Sequence, residues 1–150
     1  MKNVFNPQII KDFKSRIQNL SNDSVAQWGK MDAYQMVKHC IENEKMLLLE
    51  TKLKRRFLGV LFGKLALKAS IKDDAPLAKN SPTHPDLKIQ KTGDVEILKS
   101  VWTDLLEKYP SQNPENYSNF VHPFFGKMNS EQIGILAYKH IDHHLRQFGV

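Results

Sequence analysis

The chain has 150 residues, 41% hydrophobic and 25% charged, the balance of a globular protein long enough to bury a core. Its one cysteine, Cys40, excludes an internal disulfide. The net charge of +6 permits binding to nucleic acid or anionic lipid, although a solvated lysine-rich surface gives the same figure. Basic residues cluster only at KLKRR (52–56), and no RRM, KH, zinc-finger or glycine-rich phosphate motif is present. No specific nucleic acid is therefore expected. No apolar run approaches the roughly 18 residues of a membrane span. MKNVFNPQ lacks the apolar core of a signal peptide. One domain and a cytoplasmic location are the resulting expectations.

Asn6 and Pro7 are a cap and a first helical residue, and Ile9, Ile10, Phe13, Ile17 and Leu20 follow at helical spacing. The first helix is predicted over about 7–20, with the polar turn SNDS after it and Trp28 in the next connection. A second helix opens at Asp32, with Gln35 placed for a capping box, and runs through Met36, Val37, Cys40, Ile41 and Met46 to Leu48. His39 lies on the border of its apolar arc. A lone histidine there is more often a packed, hydrogen-bonded residue than a ligand. Residues 52–71, KLKRRFLGVLFGKLALKASI, form a basic, amphipathic extra helical segment with two internal glycines. Packing across the main helices is favoured over docking on a membrane or acidic partner.

Pro76, Pro82 and Pro85 mark 72–93 as a long irregular connection, and loops of that length in small domains often belong to a site. Another helix is predicted from Asp94 to about Tyr109, stopped by Pro110 and Pro114. Residues 110–128 form a second long loop with the aromatics Tyr117, Phe120, Phe124 and Phe125. The HPFFG run (122–126) reads as a plug for the core or as a wall beside a site. No alternating period or hairpin signal predicts a strand pair. The last helix runs from a cap at Asn129, with Gln132 in the return position, to Gly149. The fold class is all-α: four main helices and one additional segment.

That last helix holds three of the six histidines: His140, His143 and His144. His140 and His144 lie about 40° apart on successive turns, on the arc of Ile133, Leu136, Ala137 and Phe148. His143 falls about 60° to the other side of His140, toward Lys139 and Arg146. Two imidazoles one turn apart are half of a metal site, and His39 on a facing helix is the natural third ligand. Three neutral imidazoles suit Zn, Ni or Fe(II) and leave a coordination position open. H-x-x-x-H also arises by chance and the HEXXH glutamate is absent, so a polar core with satisfied histidines fits the spacing as well.

The early DAYQMVKHCIEN and the closing HIDHHLRQ together resemble the DinB-like, or YfiT-like, superfamily of helical metalloenzymes. HPFFGKMNSEQIGILAYKHIDHHLRQFG looks like one branch of it. The resemblance implies a DinB-like four-helix bundle with a long connection, here 52–93, after the second helix. It implies a divalent metal on His39, His140 and His144, Zn or Ni being expected; Glu42, Asn43 and Gln147 are the candidate supports around it. No role as ligand follows for His143 or His122. Relatives include thiol-dependent transferases, hydrolases and isomerases. The expected function is thus a metal-dependent hydrolase, or a transferase using a low-molecular-weight thiol, acting on a small-molecule substrate. Homodimers occur among such relatives. A non-catalytic metal- or ligand-binding protein, or a partner-docking module using 52–56, is the alternative.

Overall fold

Helices begin where the sequence supplies caps. Asn6 accepts the Gln8 N–H at the head of α1 (Pro7–Gln18), where Pro7 has no N–H to leave unpaired. α2 (Ala33–Leu47) and α5 (Ser130–Gln147) both open on complete capping boxes, Asp32 with Gln35 and Asn129 with Gln132. α4 (Val95–Glu107) starts at Asp94, whose carboxylate takes the Glu96 N–H. Asn22 accepts from the Val95 N–H and donates to Asp94, which docks the turn after α1 onto this helix start. The computed structural model describes residues 1–150. The chain is all-α apart from one short strand pair.

The main packing contacts run from α2 to α4, from α4 to α1, from α1 to α5 and from α5 back to α2. Their facing apolar arcs share one core. Phe13 and Ile17 of α1, Met36 and Ile41 of α2, Trp102 and Leu106 of α4, and Ile133 and Leu145 of α5 are fully buried in it. Each such side chain contributes about 1.5–3 kcal/mol through burial. Arg16 joins the far ends of the chain: it donates to Asp142 at 2.8 Å and to the Val150 carbonyl at 2.8 Å.

Two expectations need correction. The HPFFG run is a tight turn between paired strands, β1 (Val121–His122) and β2 (Gly126–Lys127). Two residues per strand are too few to show an alternating pattern. The turn is held instead by His122, whose Nδ1 accepts the N–H groups of Phe124 and Phe125 at 3.1 and 3.2 Å. The extra helix, α3 (Phe57–Ser70), starts at Phe57 and leaves KLKRR outside it. Four cations would sit badly at the positive end of a helix. The Arg56 N–H bonds to the Pro123 carbonyl at 2.9 Å.

α3 also does not lie across the other helices. Its buried residues are Gly59, Gly63 and Leu67, and its strongest contact is with β2. A Cβ at Gly59 or Gly63 would overlap the Phe124 carbonyl. The two glycines, costly for helix propensity, are what let helix and turn backbones touch. Gly63→Leu should therefore push α3 off the turn and cost about 1–3 kcal/mol. Ile97→Ala, at a position 68% exposed on α4, should change stability by less than about 0.5 kcal/mol. Chemical denaturation of the two variants checks this.

Candidate metal centre

α2 and α5 pack side by side and bring His39 against the two histidines one turn apart on α5. The ring nitrogens that His39, His140 and His144 offer all lie within 4.8 Å of one another. Ring centroids are 4.7–5.1 Å apart across the three pairs. His39 Nε2 and His140 Nε2 are separated by 3.1 Å. Two ligands on one tetrahedral ion, each at about 2.0–2.1 Å, stand about 3.3 Å apart. The three histidines could hold a metal ion.

The opposite nitrogen of every ring is already engaged. His39 Nδ1 donates to the Leu87 carbonyl at 3.0 Å. That carbonyl is presented by a 3-10 turn, Pro85–Leu87, within the long connection before α4. His144 Nδ1 meets Gln147 Oε1 at 2.8 Å. Gln147 is itself anchored, donating to the Trp28 carbonyl at 2.7 Å. Gly29 follows Trp28 at φ +86°, and a Cβ there would crowd the Gln147 amide. His140 Nδ1 faces Asn43 Nδ2 at 3.3 Å. The contacts to His39 and His144 place the ring proton on Nδ1 and leave Nε2 free, as supports behind metal-bound histidines do. With an ion on Nε2, His140 would carry its proton on Nδ1, and Asn43 would present its amide oxygen instead.

Behind Asn43 lies Glu44, which is fully buried. Its carboxylate accepts from Tyr109 Oη and lies 3.4 Å from Asn43 Nδ2. Desolvation raises its pKa to about 7, against the opposing hydrogen bonds from Tyr109 and Asn43. Glu44 was not among the residues expected here. Its position four after Cys40 and three after Ile41 puts it on the buried arc of α2, a signal legible in the sequence. The Leu87 carbonyl has no such signal, since any residue supplies one.

The remaining candidates fall outside the centre. Glu42 pairs with Lys38 at 2.7 Å and Lys45 at 3.3 Å and bonds to no histidine, so it does not support the site as expected. Lysines lie four residues before it and three after it on the helix surface, and they capture it. His143 stacks edge-on against Trp28, at 5.6 Å between centroids. His122 serves the β1–β2 turn. Two surface depressions, one lined by Pro7, Lys14 and Glu107 and one by Tyr117 and Met128, include no histidine.

No family model matches the chain, and no curated protein or solved structure matches it either.

Burial holds all three imidazoles neutral. Desolvation lowers His39, carries His140 well below 6.5 with His144 adding to it, and takes His144 to about 3. Neutral imidazole is the form that binds metal. Unfolded histidines titrate near 6.5. Between that value and the lower folded values the unfolded chain binds more protons, so this stabilisation is complete above about 6.5 and is lost as pH falls toward about 3. The chelated protein should show Tm falling through that window, with a shallower slope in His144→Leu. Gln147→Leu should weaken metal binding roughly 10–100-fold while leaving far-ultraviolet circular dichroism unchanged. Competition with a chromogenic chelator reads that loss.

Proposed function

We propose that the chain is a metal-dependent enzyme of DinB-like type, with a divalent ion, Zn or Ni, on His39, His140 and His144. In this reading the ring of α1, α2, α4 and α5 is a four-helix bundle and α3 belongs to its long connection. The observation that carries the proposal is the set of three convergent imidazoles, each with its outer nitrogen already bonded. Three protein ligands leave one position free, the arrangement of a catalytic rather than a structural site. A bound ion in such a site acidifies a coordinated water or thiol toward neutral pH.

The chain's own groups supply the rest. Leu87 and Gln147 hold two imidazoles in the tautomer that exposes Nε2, and Asn43 can do the same for His140 by turning its amide. Glu44, titrating at about 7, can give or take a proton behind Asn43 near neutral pH. Burial of His39 and His144 excludes bulk water, and His140, the most accessible ring of the three, lies nearest the side a reactant would enter. The substrate class that fits is a small electrophile attacked by water or by a low-molecular-weight thiol.

Elemental analysis of the purified protein should find a stoichiometric transition metal, and His144→Ala should lose most of it. Equal metal in both would remove His144 from the site. Loaded protein should turn over an activated ester, or conjugate a thiol to an activated aryl halide, and His39→Ala should abolish either reaction. A full metal complement with no turnover of any small electrophile would favour a non-catalytic metal-binding protein.

A further inference from the structure

The outer face of α3 is the largest unexplained feature of the surface. Phe57, Leu58, Val60, Leu61, Phe62 and Leu65 are 55–74% exposed, half of all the large exposed hydrophobic residues in the chain. The helix has only 14 residues, so the clustering is not a matter of length. Leu61, Leu65, Leu58 and Phe62 share an arc of about 100°, opposite the Gly59–Gly63–Leu67 face that packs on the protein. Lys64 and Lys68 border that arc within about 60°. The packing of Gly59 and Gly63 on the Phe124 backbone fixes which way the bulky face points.

The charge around this face has one sign. Residues 51–72 contain seven of the 22 lysines and arginines and none of the 16 acidic residues, so the positive surplus of the whole chain resides here. Lys52, Lys54, Arg55 and Arg56 are exposed. None of them, nor Lys64 or Lys68, pairs with a carboxylate, whereas Lys14, Lys38, Lys45, Lys99 and Lys108 elsewhere all do.

We propose that α3 and the preceding basic run form a docking surface for an anionic lipid bilayer, with the bulky arc sunk into the interface and the cations on the headgroups. The helix is too short to cross a membrane, and no helix of the chain is long and apolar enough to do so. A bulky apolar face bordered by lysines is the pattern of a helix lying in the membrane plane. A second copy of the chain fits less well, because a symmetric contact through this face would oppose two acid-free cationic segments. Nucleic acid would meet the cations but leave the leucines and phenylalanines in water. The proposal does not depend on the metal centre.

Co-sedimentation of the full chain with phosphatidylcholine vesicles, with and without phosphatidylserine, tests it. Binding is expected only with phosphatidylserine and should fall steeply from about 0.05 to 0.5 M salt. Leu61→Asp with Leu65→Asp should lower it roughly tenfold or more, as should Lys54→Ser with Arg56→Ser. All four positions are exposed, and Tm and circular dichroism of both double variants should match the parent. Failure to sediment with anionic vesicles, equal binding to pure phosphatidylcholine, or parental binding by the leucine variant each overturns the proposal. A dimer in analytical ultracentrifugation that the leucine variant abolishes, without vesicle binding, assigns the face to a second copy. Salt-sensitive binding to RNA or duplex DNA that survives the leucine substitutions, again without vesicle binding, assigns the cations to nucleic acid.

Discussion

The meeting of α2 and α5 at three imidazoles constrains the rest of the molecule. Three rings at centroid separations of 4.7–5.1 Å cannot all be cations in a buried place. They can share it only as neutral groups, each with a hydrogen-bond partner for the nitrogen turned outward. Those partners come from three separate parts of the chain: the connection before α4 through Leu87, α2 through Asn43, and the last turn of α5 through Gln147. The Gln147 contact in turn fixes the segment around Trp28. The connections before α2 and before α4 are thus tied to the histidine site through Trp28 and Leu87.

A second polar layer supports the first. Glu44, Asn43 and Tyr109 form a hydrogen-bonded group within the core, where an unpartnered carboxylate would be costly. Tyr109 lies just past α4, so this group joins α2 to the end of α4 as the histidines join α2 to α5. The same core holds Trp102, Ile41 and Leu106, all fully buried. On α2 the buried polar residues are His39, Asn43 and Glu44.

α3 follows a different logic. It contributes one residue, Leu67, to the shared core and turns its larger side chains outward. Small residues on one side and bulky ones on the other reverse the usual arrangement of a surface helix, whose bulk faces inward. The inward side is small because a turn of backbone, not a groove of side chains, is its neighbour.

Sequence alone determined what depends on near neighbours. The caps at Asn6, Asp32, Asp94 and Asn129 are local hydrogen bonds, legible because the donor and acceptor lie two or three residues apart. The spacing of His140 and His144 placed them on a common face, and only beside that pair did His39, on the border of α2's apolar arc, read as a third ligand. Glu44 was legible by the same periodicity and was missed because a carboxylate on an apolar arc reads as an interruption. Other features were decided only in three dimensions. The Leu87 carbonyl behind His39, the capture of Glu42 by two lysines, the β1–β2 turn and the outward face of α3 each depend on which segments meet. Backbone carbonyls and close backbone approaches carry no side-chain signature, so their partners emerge only when distant parts of the chain pack together.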